Sequence, residues 1–196
     1  MNKKSDIYGG IDPVHQSRWY AIYTKPRHEK KVFDSLNQKK IEAFLPLKKE
    51  YHQWSDRTKL VEEPLIRSYI FVHIPLKRSL EVLETYGVIK FVTFKGNYAP
   101  IPDFQIEALK KTLENQVSLE PIQYLKVGQL VEITDGPLKG VIGRIQRIKN
   151  EDKFVISLDA IRAAFVVDIH PGYLRPISEE KKKKLLTLPL GLEPWQ

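Results

Sequence analysis

Surface chemistry needs particular side chains at particular spacings, and this chain lacks most of the familiar sets. Its histidines, His15, His28, His52, His73 and His170, show no His-x-x-x-His or other ligand spacing, so no metal site is expected. Cysteine is absent, which removes thiolate ligands, disulfides and a thiol nucleophile. No Gly-x-Ser-x-Gly elbow, P-loop or dinucleotide fingerprint occurs. The carboxylates are scattered among basic residues and read as ordinary surface charge. The expectation is a protein with no catalysis, no metal and no cofactor. One cluster does have a chemistry of its own: Lys25, Arg27, His28, Lys30 and Lys31, gathered around Pro26. Cations at a helix start, where the backbone dipole is also positive, suit phosphate oxygens. Trp54 and Arg57, with Lys59, form a second group suited to the same kind of partner.

Composition agrees with a polyanion partner. The 196 residues are 42% hydrophobic, with 8 Phe, 9 Tyr and 3 Trp, which excludes a mostly disordered chain. A net charge of +8 and a pI near 9.4 favour association with an anion. Much of the excess lies in 19–40, where Lys25, Arg27, Lys30, Lys31, Lys39 and Lys40 face only Glu29 and Asp34. No apolar run is long enough to span a bilayer, and 1–17 has no apolar signal core. A cytoplasmic protein without membrane contact is expected, with 1–17 as a flexible lead-in.

Several elements must position these groups. Trp19–Tyr23 is aromatic and β-branched, as a strand requires. Pro26 suits the first turn of a helix reaching Lys40, with Val32, Phe33 and Leu36 on its apolar face. Ile41–Leu47 predicts a second strand, and 48–64 a basic hairpin protruding from the sheet. Arg67–Ile74 is the strongest strand; being apolar on both faces, it belongs in the centre. A short helix over Ser79–Tyr86, a strand over Val88–Phe94 and a helix N-capped by Asp103 follow, the last with Ile106, Leu109 and Leu113 inward. The order β-α-β-hairpin-β-α-β-α predicts an α+β sandwich of one sheet with helices over 18–115.

Residues 116–123 read as a linker. Beyond them, Gln129–Thr134, Val141–Lys149, Phe154–Leu158 and Ala163–Ile169 are short β-like runs separated by turn residues. A small five-stranded, all-β barrel over 124–177 is the economical solution. The tail, 178–196, has no clear pattern. Within the barrel, Gly136 and Gly140 punctuate the run Val127–Ile145 as turn residues, and Gly143 permits a tight return.

That run resembles a KOW motif. Together with Arg18–Lys25, Glu62–Val72 and Gly87–Phe94, in that order, it resembles the NusG family of transcription elongation factors over roughly 18–177. The implied architecture is an NGN-like N-terminal domain joined by a linker to a KOW barrel. Within the family, the Glu63-Pro64-Leu65-Ile66-Arg67-Ser68-Tyr69-Ile70-Phe71-Val72 run and the basic first helix resemble specialised paralogues of the RfaH and UpxY type.

The resemblance implies that Tyr69, Phe71, Phe91 and Phe94 bind RNA polymerase, at the clamp helices of its largest subunit. Alternation puts Tyr69 and Phe71 on one face of their strand. It implies that Lys25, Arg27, His28, Lys30 and Lys31 meet the non-template DNA strand, with Trp54 and Arg57 near upstream DNA. A loop that carries His-Thr-Thr in specialised members reads Leu76-Lys77-Arg78-Ser79 here, with Arg78 and Ser79 as substitutes. Ile161 and Arg162 fall where family members hold Rho or a ribosomal protein of the small subunit. The reading that results is a monomeric antitermination factor that suppresses pausing and termination on specific operons, such as surface-polysaccharide ones. Two alternatives stay open: a general elongation and Rho- or ribosome-coupling factor, and a KOW-type ribosomal or RNA-binding protein.

Overall fold

The computed structural model describes residues 14–53, 58–124 and 128–186, without the side chains of Tyr51, His52 and Leu186. Strand β1 (Arg18–Thr24) leads into α1 (Glu29–Gln38) and β2 (Glu42–Phe44). The arms β3 (Leu47–Gln53) and β4 (Thr58–Pro64) form a separate hairpin, followed by β5 (Tyr69–Ile74). A 3-10 turn over Leu76–Arg78 runs into α2 (Ser79–Leu83), then β6 (Val88–Phe91). Short strands β7 (Thr93–Phe94), β8 (Asn97–Tyr98) and β9 (Pro100–Ile101) precede α3 (Asp103–Glu114).

The first sheet is antiparallel in the order β2-β5-β1-β6, with β9 pairing the other end of β1. β5 is therefore internal, as its two apolar faces demand. One face buries Tyr20, Ile22, Ile70, Val72 and Ile74 against Val32 and Leu36 of α1 and Val82 of α2. The other face carries Trp19, Ala21 and Phe71 beneath Ile106 and Leu109 of α3.

Two details depart from the sequence pattern. Val88–Phe94 is not one strand: it breaks at Val92, and Thr93–Phe94 pairs only with β8. Asp103 is not the cap of α3, since Pro102 holds that place without a side-chain bond; Asp103 is the first helical residue. A carboxylate there still meets the positive end of the dipole.

The C-terminal region is all β: β10 (Glu120–Ile122), β11 (Gln129–Ile133), β12 (Ile142–Ile148), β13 (Glu151–Leu158), β14 (Ala163–Val167) and β15 (Leu174–Pro176). They pair antiparallel in the order β10-β14-β13-β12-β11-β15 around Val131, Ile133, Phe154, Ile156 and Val167. There is one strand more than expected, because 120–122, read as linker, pairs with β14. Gly136 and Gly140 both take left-handed φ, +79° and +86°, in the turn between β11 and β12. Within the tail, α4 (Glu179–Leu186) is helical. Among the described residues, no helix is long and apolar enough to cross a membrane.

Candidate functional site

The registers of β1 and β5 build an aromatic face. Tyr23 stands opposite Tyr69, Ala21 opposite Phe71 and Trp19 opposite His73, while Phe44 of β2 stands opposite Phe71 from the other side. Directly opposed residues share a face of the sheet, so these side chains form one layer. Tyr23 and Tyr69 meet edge-on at 5.3 Å, Phe44 stacks on Phe71 at 6.1 Å, and Trp19 on His73 at 5.0 Å. Lys110 of α3 lies 4.4 Å over the Trp19 ring and 5.4 Å over Phe44. His73 is fixed by Glu42 at 2.7 Å. Burial, then the neighbouring Tyr23, pushes the Tyr69 phenol above its ordinary pKa.

The four aromatic residues singled out for a protein partner are thus separated. Tyr69 and Phe71 lie together on the aromatic face. Phe91 does not: it pairs opposite Ile22 and is 2% exposed in the layer beneath α1 and α2. Its register, not its position in the sequence run, decides the face, and this burial leaves it no surface to offer. Phe94 is partly exposed on the β7–β8 hairpin, with Lys95 5.5 Å over its ring.

The C-terminal region covers this face. Leu158 and Phe165 are buried in the same cluster as Trp19, Phe71, Ile106 and Leu109, and Ala160, Ile161 and Ala163 pack beside them. Phe71 is fully buried as a result of this double cover. On the far side of α3, Ala108 joins the core of the C-terminal sheet. Gln105, 1% exposed, clasps Asp159 twice: its amide donates to Oδ2 at 3.0 Å, and its carbonyl accepts from the Asp159 N–H at 3.1 Å. The Tyr124 hydroxyl donates to Asp159 Oδ1 at 3.0 Å, and Arg144 lies 3.6 Å from Oδ2. Burial, reinforced by the Asp159 charge and hydrogen bond, pushes the Tyr124 phenol well up. Lys111 of α3 also donates to the Lys139 carbonyl.

Ile161 therefore sits inside this junction, while the adjacent Arg162 is exposed, left-handed (φ +54°) and 6.0 Å from the Tyr124 ring. Sequence reasoning missed Gln105, Tyr124 and Asp159. In α3, Gln105, Ala108 and Thr112 recur at helical spacing beside Ile106, Leu109 and Leu113, but residues of these types carry no signal of burial. Asp159 offered none, since Asp159-Ala160 reads as a plain turn.

The basic cluster is on another surface. The helix starts at Glu29 and not at Pro26, so of the cluster only Lys30 and Lys31 are exposed in the first turn of α1, while Lys25 and Arg27 are exposed in the turn before it; His28, the residue before the helix, is partly exposed with Nδ1 3.0 Å from the Pro26 carbonyl. Glu29, the acid of that turn, is buried and accepts from the Ser68 N–H at 2.8 Å, so it does not face outward. Trp54 and Arg57 lie outside the described residues. The arms of their hairpin are not basic overall: Lys48 and Lys49 stand opposite Glu63 and Glu62. Arg78 is held by Glu81 at 2.8 Å and by the Lys39 carbonyl at 3.1 Å, so its guanidinium braces α2 against the end of α1. Among the described residues no group of His, Asp or Glu is placed to hold a metal ion.

Comparison with known proteins adds a family likeness. Residues 17–110 match the model of NusG, described as transcription termination factor nusG. The transcription termination/antitermination protein NusG of Staphylococcus aureus (strain N315) is 25% identical over 165 residues, 75% of this chain and 87% of that protein; the strain MW2 protein matches equally. A solved structure titled as domain interaction in Thermotoga maritima NusG covers 83% of this chain at 21% identity, with a TM-score of 0.46. An MjSpt4:Spt5 complex covers 82% at 16% identity, with a TM-score of 0.28. The residues matched, 17–110, are the α/β region with its helices, and through them the chain is similar to the NusG family of transcription termination and antitermination factors.

Proposed function

We propose that this protein binds transcribing RNA polymerase through the aromatic face of its first sheet and suppresses pausing and termination. Two functional domains, 18–115 and 120–177, would divide the work. The observation that supports this most is the face itself: Trp19, Tyr23, Phe44 and Tyr69 around Phe71, a concentration of aromatic anchors such as protein interfaces use. The partner of that face is the clamp helices of the polymerase's largest subunit, with Phe94 at its margin. The basic turn Lys25–Lys31 then meets the non-template DNA strand. A ligand that prefers the productive elongation state raises its population without any catalysis. The protein acts in the cytoplasm as a monomer, on particular operons such as those for surface polysaccharide.

The same face is occupied by the C-terminal domain in the form described here. Polymerase engagement therefore requires that domain to leave, which also uncovers Ile161 for a ribosomal protein or Rho. That exposure supports the alternative of a general coupling factor whose two interfaces open together.

Single-round transcription through a pause and a terminator tests the proposal. The protein should increase read-through, and Tyr69→Ala should abolish most of the gain. Phe71→Ala is the poorer probe because its ring is also core. No association with core polymerase, at any protein concentration that saturates other factors of this kind, would refute it.

A further inference from the structure

We infer that Tyr86 is a stacking platform for an unpaired base of single-stranded DNA, served by the cations of the α1 start. The inference rests on the reading of Lys25–Lys31 as a nucleic-acid contact and names the residue that would make the site prefer a single strand to a duplex. Tyr86 is 73% exposed, the highest value among the exposed large apolar and aromatic side chains described. A lone exposed apolar residue is ordinary; the surroundings of this one are not. The Lys25 ammonium lies 4.8 Å from the ring centroid and the His28 ring 5.8 Å away.

The loop that carries the ring is also held in place. The Lys25 N–H donates to the Gly87 carbonyl at 2.8 Å, and Lys39 Nζ donates to Thr85 Oγ1 at 2.8 Å. Gly87 has φ +99°, and a Cβ there would come within 2.8 Å of Val32 Cγ2 and 3.3 Å of His28 Cβ. Only glycine lets the Tyr86 loop press this closely on α1. Glu29 is turned inward to the Ser68 amide, so the exposed charges of this stretch, Lys25 at the ring and Arg27, Lys30 and Lys31 close to it in sequence, are all basic.

An exposed aromatic face among cations matches what a single strand offers, a π-face on each base and a phosphate beside it. A duplex offers the phosphates but keeps its base faces stacked. The ring therefore adds a contribution that depends on strandedness and not on salt, whereas the cations add one that depends on salt.

Fluorescence anisotropy of the full chain with a labelled single-stranded oligodeoxynucleotide, and with its duplex, tests this. Tyr86→Ala should weaken single-strand binding about ten-fold, leave the slope against salt unchanged and leave duplex binding unaltered. Tyr86→Phe should restore single-strand binding, since the π-face is what acts. Lys30→Ala with Lys31→Ala should weaken both ligands and flatten the single-strand salt slope by roughly 1.4. If Tyr86→Ala binds the single strand like the native chain while the lysine variant is weakened, the platform is refuted and the basic contact stands. If neither variant differs from the native chain, both readings are refuted.

Discussion

Asp159 ties three segments together at one carboxylate: Gln105 of α3, Tyr124 just after β10 and Arg144 of β12. Removing it would leave the buried Gln105 amide and the Arg144 charge with fewer partners, and an unsatisfied buried group costs about 1–3 kcal/mol. Asp159→Ala should therefore lower the thermal midpoint and raise hydrogen exchange at α3 amides; an unchanged exchange pattern would show that the apolar contacts suffice. Tyr124 makes the same junction sensitive to alkali. Its phenol is raised in the docked form, so its contribution is complete below the ordinary tyrosine value of about 10 and is lost as pH rises beyond that. A phenolate absorbance titration should find Tyr124 ionising only as the domains part, and Tyr124→Phe should remove that component. At this scale the sequence was partly legible. Alternation places Tyr69 and Phe71 on one face, but the face of Phe91 depends on its pairing opposite Ile22, beside a bulge at Tyr23/Thr24 that no local pattern marks.

At the scale of elements, α3 links the two regions because it has two buried faces. Ile106 and Leu109 hold it to the first sheet, while Gln105, Ala108 and Thr112 are covered on the side of the C-terminal strands. The inward stripe was readable from helical spacing. The stripe of Gln105, Ala108 and Thr112 was not, since Gln, Ala and Thr are common on solvent-facing sides of helices. Strand order was readable too, with β5 central because both its faces are apolar. The strand at 120–122 was not, because three residues around a proline carry no periodicity and gain their order from β14 alone. Ala108 has no room for a longer side chain. Ala108→Arg should separate the C-terminal region while sparing the first sheet, seen as rapid proteolysis between α3 and β11 with the N-terminal region still protected. Uniform protection of the whole chain would mean that this face of α3 does not control docking.

In the molecule as a whole, surfaces with different tasks are segregated. Ile161 packs, partly buried, against the cluster that holds Trp19 and Phe71, whereas α1 packs on the opposite face of the sheet and its cations and Tyr86 are exposed. The first would be available only to an opened protein and the second at all times. The central claim, that the aromatic face binds polymerase and that the C-terminal domain competes for it, is tested most directly by comparing core-polymerase affinity of the native chain and Ala108→Arg. Every 1.4 kcal/mol or so of docking removed should tighten binding about ten-fold until the open form predominates. An opened variant that binds polymerase no better than the native chain, or less well, would contradict the account.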